Sequence, residues 1–194
     1  MSGGIKYEGV VITSIKVVSK GGGKVEFDEK SETGDKARFL KDVKETARDS
    51  KKFTATEIEA EEAKNLINSM GEIDEDTTPL FCVHGYNVQP HDVLKGMTSV
   101  LVAFAKAGHY YPIPVLWPCD SVDRWGPDKA GQYEWDQEVF SQQAGNVLRQ
   151  FVDQIRDDTF PRKSLMMHSM GNHVVFNGAC GANNAPGVQF ENIF

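Results

Sequence analysis

Ser169 has the clearest potential for chemistry in this chain, because of the residues on either side of it. A short apolar run from Leu165 to Met167 leads into His-Ser-Met-Gly, and a helical pattern follows. This order is typical of a nucleophile elbow, a strand-to-helix turn that carries a serine at its tip. Such a turn points the serine Oγ out of the sheet and directs the next N–H towards a developing oxyanion. The sequence therefore predicts Ser169 as a nucleophile and the amide of Met170 as one oxyanion donor.

The residues around the serine also fit a simpler role. Serine is a favoured N-cap residue, so Ser169 would then only cap the helix that follows it. Gly171 and Asn172 would be ordinary turn residues in that case. In the catalytic interpretation, His168, Gly171 and Asn172 instead support the turn that presents the nucleophile.

A second segment, from Pro79 to Asn87, favours the catalytic interpretation. It starts as an apolar run, typical of a strand buried on both faces of a parallel sheet, and ends in His-Gly-Tyr-Asn. Gly85 at the start of the loop would let the backbone approach a substrate, and the amide of Tyr86 would be the second oxyanion donor. His84 is predicted to hold the loop by hydrogen bonds and not to transfer protons.

Together the two segments resemble the α/β-hydrolase superfamily, and most closely its esterase/lipase-like members with His-Gly-Tyr-Asn, which includes Asn87 here, and His-Ser-Met-Gly-Asn. The similarity covers about residues 78–194, including residues 113–118, which end in Trp-Pro, and the positions Tyr133, Asp136 and Glu138. The resemblance implies a serine hydrolase that acts on a small carboxylic ester or related acyl substrate through an acyl-enzyme. The sequence also has no His-Glu-x-x-His motif, no Walker loop and no Gly-x-Gly-x-x-Gly after a strand, so no cofactor and no metal are expected.

The resemblance also implies that an acid and a histidine follow the serine in chain order. After Ser169 the sequence contains only Glu191 and His173 as candidates. His173 lies one helical turn further on, so its ring is expected to point away from the Oγ. Residues 188–194 are predicted to form the next strand, which the acid follows in the relatives. We therefore expect the triad acid and histidine to lie beyond residue 194.

An α/β-hydrolase fold that is incomplete at its C-terminus has two expected consequences. The 194-residue chain should have impaired hydrolase activity, and its exposed last strand should invite pairing with a second copy. An alternative function also stays open: the fold would be catalytically incompetent and would bind a ligand or a protein partner.

Composition narrows the class of protein. The net charge of −7, with scattered basic residues, argues against a nucleic-acid surface. The sequence has no run of about 18 apolar residues and no secretory signal, so it predicts a cytoplasmic protein without a membrane span. The three cysteines, Cys82, Cys119 and Cys180, form no Cys-x-x-Cys pair and are expected to be reduced thiols.

Residues 1–75 carry no catalytic motif and are predicted to flank the sheet of residues 76–194 within one structural domain. Residues 9–19 are predicted to form a strand, with a hairpin turn at residues 21–23 and a returning strand after it. The apolar spacing over residues 37–47 suits a helix, although part of it would also suit an edge strand. A further helix is predicted over residues 56–70, with Thr56 as its cap and Gly71 as its stop.

The second half of the chain alternates between strand and helix patterns. Helices are predicted over residues 89–108 and 140–155, and strands over residues 113–117 and 165–167. This order predicts a three-layer α/β/α sandwich with a mostly parallel sheet. Both motifs would follow the carboxyl ends of strands, where open α/β sheets bind ligands.

Overall fold

A computed structural model describes residues 4–28, 32–46, 51–69, 78–85, 88–107, 110–118, 144–146, 149, 162–179 and 190–194. The strands in these residues are β1 (Lys6–Tyr7), β2 (Val11–Ile15), β3 (Val18–Gly21), β4 (Lys24–Asp28), β5 (Thr33–Glu45), β6 (Lys52–Ile58), β7 (Thr78–Val83), β8 (Tyr110–Leu116) and β9 (Ser164–Met167). The helices are α1 (Ala60–Ser69), α2 (Pro90–Ala107) and α3 (Gly171–Ala179).

The strands form one mixed sheet in the order β3-β4-β6-β5-β2-β8-β7-β9, with β1 pairing with β5. Within the described residues, three strand pairs are parallel and five are antiparallel. The prediction of a mostly parallel sheet therefore holds only for the half that contains β2, β8, β7 and β9. The reason is the short connections of the N-terminal strands, which permit antiparallel pairing, whereas parallel neighbours need long crossovers.

The N-terminal hairpin turn agrees with the sequence pattern, although the single strand predicted over residues 9–19 is in fact two strands, β2 and β3. Strand β3 ends at Gly21, and β4 returns antiparallel to it from Lys24. Gly21, Gly22 and Gly23 all have positive φ angles, of 86°, 58° and 74°. Only glycine adopts such angles without strain, so the glycine run determines where the chain reverses.

The prediction of a helix over residues 37–47 is wrong, because residues 33–45 form β5. This strand pairs with β6 on one side and with β1 and β2 on the other, so it is not an edge strand either. Phe39 and Leu40 are both buried, in core clusters on opposite faces of the sheet. Asp42, with a φ of 53°, lies where the pairing with β6 shifts register, and this irregularity interrupts the alternation. Burial on both faces plus the bulge produces an apolar spacing that imitates a helix.

The predicted helix over residues 56–70 begins later than expected. Residues 52–58 form β6, which lies between β4 and β5, and α1 starts at Ala60. The first helical hydrogen bond runs from the Ala63 N–H to the Glu59 carbonyl at 2.9 Å, so Thr56 is not the cap. Its hydroxyl instead accepts a hydrogen bond from Lys24 at 2.7 Å. The predicted stop, Gly71, lies outside the described residues.

Helices lie against both faces of the sheet. On one face, Val93 and Leu94 of α2 belong to the same buried cluster as Val11, Leu40 and Leu116 of the sheet. On the other face, buried residues of α1 and α3 pack on the central strands; these residues are Ala63, Ile67 and Val174. Of the predicted helix over residues 140–155, residues 144–146 and 149 are helical, and Ala144 is buried on the same face as α1. The rest of that helix lies outside the described residues.

Residues 190–194 extend alongside β9, as predicted. The Leu165 N–H donates to the Asn192 carbonyl at 3.0 Å, and the Phe194 N–H donates to the Leu165 carbonyl at 2.9 Å. The pairing is parallel, with Ile193 opposite Leu165. Positions 188 and 189 of the predicted strand are not among the described residues. None of the helices that the structure describes is both long and apolar enough to cross a membrane.

Candidate active site

The two sequence motifs meet because their strands are neighbours. Strands β7 and β9 are parallel, with Val83 opposite Met167, so the residues after them emerge at the same edge of the sheet. The His168 N–H continues the pairing and donates to the Val83 carbonyl at 3.0 Å. A Cβ added to Gly85 would lie 3.0 Å from the Cβ of Ser169. The backbone of Gly85 therefore contacts the turn that carries Ser169, and a side chain there would collide with it.

Ser169 has a left-handed backbone, with a φ of 51°. This conformation costs a non-glycine residue about 1–3 kcal/mol, and it occurs where surrounding contacts impose it. Here the Gly171 N–H donates to the His168 carbonyl at 2.9 Å, and the Asn172 N–H donates to the Ser169 carbonyl at 3.1 Å. The Asn172 side chain donates to the same carbonyl at 2.8 Å. An N-cap residue has extended backbone angles, so this geometry favours an elbow over a simple cap.

Met170 joins the turn to the core. Its side chain is fully buried in the core cluster that α3 covers, whereas Ser169 is exposed. The Met170 carbonyl accepts a hydrogen bond from the His173 N–H at 2.9 Å. Among the hydrogen bonds of the described residues, none is donated by the N–H of Met170. This N–H is next to the exposed serine at the start of α3, where an oxyanion donor would be needed.

Met167, two residues before the serine, is a bulky residue at a position where elbows usually have a small one. The structure places its half-buried side chain against the same core cluster as Met170. Its N–H donates to the Phe194 carbonyl at 3.0 Å, so the strand remains paired up to this residue. The core accommodates the side chain while Ser169 still adopts its left-handed backbone.

Gly171 lies against the end of β7. A Cβ at this position would be 2.7 Å from the carbonyl oxygen of His84 and 2.8 Å from that of Val83. Both are backbone atoms of the central sheet and cannot move aside cheaply. The absence of a side chain at Gly171 therefore lets α3 begin in contact with the loop that follows β7.

We expect Gly171→Ala to destabilise the protein by about 1–3 kcal/mol, because the new methyl group would collide with two backbone carbonyls. Gly96 in α2 is the matched control, since no atom of the described residues lies within 4 Å of a Cβ built there. Gly96→Ala should raise the free energy of unfolding by about 0.5–1 kcal/mol. Urea unfolding of both variants measures the contrast, and equal effects would contradict the close packing at Gly171.

His84 is buried and has both ring nitrogens engaged. Its Nε2 accepts a hydrogen bond from the backbone N–H of Trp117 at 3.1 Å. The proton of the neutral ring must therefore be on Nδ1, which lies 2.9 Å from the Gly85 carbonyl oxygen and donates to it. Burial lowers the pKa of His84 to about 4. A neutral ring with no free nitrogen cannot take a proton from Ser169, which agrees with the loop-holding role expected of it.

Of three further residues that the sequence predicts at the site, the structure describes only His168. The side chain of His168 is exposed, and its Nδ1 would be 2.7 Å from a Cβ at Gly85. Tyr86 and Asn87 lie outside the described residues. No group of three or more potential metal ligands occurs in the part of the chain that the structure describes.

Cys82 is buried in β7, where its thiol donates to the Leu80 carbonyl at 3.4 Å. Burial raises the pKa of this thiol to about 12, so it is protonated and inert at neutral pH. Cys119 and Cys180 lie outside the described residues.

Trp117 was not predicted as a site residue, although it contacts the site directly. It follows β8, which neighbours β7 on the side opposite β9. Its ring stacks on that of His84, with centroids 5.3 Å apart and an angle of 14° between the planes. The available signal was the Trp-Pro pair after a buried strand, since residues after neighbouring parallel strands meet at one edge of the sheet.

Comparison with known proteins agrees with this geometry. A family model described as "Alpha/beta hydrolase of unknown function (DUF900)" matches residues 58–179. The match covers more than half of the chain and includes the strands and turns that bear both motifs. No curated protein and no solved structure shows significant similarity to the chain. The chain belongs to DUF900, a family of alpha/beta hydrolases of unknown function.

Proposed function

We propose that the protein is a serine hydrolase of the esterase or lipase type, built on a three-layer α/β/α sandwich, with Ser169 as its nucleophile. The observation that carries this proposal is the left-handed backbone of Ser169 at the exposed turn between β9 and α3. A serine held in a strained turn after a parallel strand is typical of a nucleophile elbow, whereas a helix cap has no need of the strain.

The proposed reaction is acyl transfer to the serine. The Ser169 Oγ attacks the acyl carbon of a carboxylic ester or related compound, and its proton passes to a base. The tetrahedral oxyanion accepts hydrogen bonds from the N–H groups of Met170 and Tyr86. The alcohol departs with the proton, which leaves an acyl-enzyme, and water then releases the acid and restores the serine.

Two features of the described residues support the oxyanion site. The N–H of Met170 precedes α3, and the partial positive charge at a helix N-terminus favours a developing negative charge. The backbone of Gly85 contacts Ser169 through atoms that leave no room for a side chain. The peptide that follows Gly85 thus begins beside the nucleophile, where a second donor would act.

The base is the part of the mechanism that the described residues do not supply. A serine hydroxyl is a weak nucleophile at neutral pH unless a base accepts its proton. His84 has no free nitrogen, and among the described histidines none forms a hydrogen bond with the Ser169 Oγ. This observation favours the second candidate function, in which the same site binds an acyl ligand without turnover.

Hydrolysis of p-nitrophenyl acetate and p-nitrophenyl butyrate separates the two candidates. We expect turnover that Ser169→Ala removes and that Ser164→Ala leaves unchanged. Ser164, at the start of β9, is the matched control because its buried hydroxyl has no hydrogen-bond partner among the described residues. Turnover that survives Ser169→Ala in a folded protein would refute the proposed nucleophile, and a folded original chain without any turnover would favour ligand binding.

A further inference from the structure

Trp117 holds His84 through two separate hydrogen bonds. Its indole Nε1–H donates to the His84 carbonyl at 2.8 Å, and its backbone N–H donates to the His84 Nε2 at 3.1 Å. Trp117 is 1% exposed and His84 is 7% exposed, so water does not compete for these bonds. The bonds join two chain segments that are 33 residues apart.

The hydrogen bonds continue from His84 into the loop. Because Nε2 accepts from Trp117, the ring proton is on Nδ1 and is donated to the Gly85 carbonyl at 2.9 Å. This carbonyl shares a planar peptide unit with the N–H of residue 86, so fixing the C=O direction also fixes that N–H. The carbonyls of His84 and Gly85 are therefore both held by contacts that start at Trp117.

We propose that Trp117 is a positioning residue for the oxyanion loop, and this proposal rests on the proposed function. The backbone N–H and the indole N–H of Trp117 both donate to His84, and neither donates to Ser169. Trp117 acts through His84 by holding two successive peptide units at the start of the loop. Their orientation determines whether the second oxyanion donor faces the acyl carbon attacked by Ser169.

Trp117→Phe tests the proposal because phenylalanine retains an aromatic ring and the backbone N–H but lacks the indole N–H. A second variant replaces Trp117 with 3-benzothienylalanine, which has sulfur in place of the N–H at almost the same volume and is expected to fold even if Trp117→Phe does not. Phe81→Leu is the control. Phe81 is also buried in the central sheet and belongs to the same core cluster, but its benzyl side chain has no N–H to donate to His84.

Two measurements are made on each variant. Deuterium exchange of a peptide that contains residues 84–89 should be about tenfold faster in both Trp117 variants than in Phe81→Leu. The kcat for Ser169-dependent ester hydrolysis should fall about tenfold, with KM within about twofold of the original value. If Trp117 only filled the core, its replacement would lower the stability of the protein, as Phe81→Leu does. It would not lower kcat while leaving KM nearly unchanged.

Unchanged exchange in the loop would overturn the proposal, whatever the activity. Faster exchange with unchanged kcat would also overturn it, because the loop would then be held for no catalytic purpose. If the original chain shows no Ser169-dependent turnover and the Trp117 variants still exchange faster, the proposed hydrolase function fails while the loop-holding contact is supported.

Discussion

Ser169→Ala should abolish labelling of the protein by a fluorophosphonate. In the labelling reaction the serine Oγ attacks phosphorus and fluoride leaves, so only a serine with an activated hydroxyl and an oxyanion site reacts quickly. Ser169 is exposed and held in a left-handed turn, whereas Ser164, at the start of the strand that precedes this turn, is fully buried. We expect the rate of labelling to fall by at least about 10³-fold in the variant, as measured by intact mass and peptide mapping.

Two comparisons make the labelling result decisive. Ser164→Ala should be labelled at the original rate and on Ser169. Alanine retains the Cβ of serine, so Ser169→Ala keeps the same backbone strain, and its melting temperature should stay close to the original. Labelling that survives in a folded Ser169→Ala protein would assign the nucleophile to another residue.

The sequence was most informative where strands are buried on both faces and end in a motif. The runs before His84 and Ser169 predicted two parallel strands, and the structure places β7 and β9 side by side with the motifs at one edge. This success has a physical reason. A parallel strand that is buried on both faces is a nearly continuous apolar run, and a tight turn after it needs glycine. Both features can therefore be recognised from a few consecutive residues.

The antiparallel half of the sheet was harder to predict, because residues that point to both of its faces are apolar and the alternating strand pattern is lost. Strand β5 is buried on both sides and has a bulge at Asp42, so its apolar residues recur at a helical spacing. No glycine or proline separates β6 from the acidic start of α1, so the last residues of the strand were predicted to belong to the helix. In both cases the tertiary partner, and not local propensity, determined the secondary structure.

The contacts of His84 could not be derived from the sequence alone. The sequence predicted that this histidine holds the loop, but its partner, Trp117, is 33 positions away and belongs to a different strand connection. Which ring nitrogen carries the proton depends on that partner. The lowered pKa depends on burial, which only the assembled sheet provides.

His84 should make the stability of the protein depend on pH between about 6.5 and 4. Burial lowers the pKa of the folded state to about 4 from the ordinary value of 6.5. Above pH 6.5 the ring is neutral in both the folded and the unfolded state, so protonation of His84 does not lower the free energy of unfolding. Below that pH the unfolded state binds a proton that the folded state excludes, so the free energy of unfolding falls until the pH reaches about 4. The difference in pKa corresponds to a loss of roughly 3 kcal/mol.

Urea unfolding at pH 7, 5.5 and 4, with His84→Gln as the comparison, tests this expectation. Glutamine has no proton to gain in this range, and its amide can accept from the Trp117 N–H and donate to the Gly85 carbonyl. Carboxylates such as Asp35, whose pKa is lowered mainly by a hydrogen bond from Arg38, also weaken the fold near pH 4. They do so equally in both proteins, so the difference between the two curves isolates His84. If the free energy of unfolding fell equally with pH in both proteins, His84 would be accessible to protons in the folded state. The loop would then not be held by a buried His84 ring with hydrogen bonds at both nitrogens.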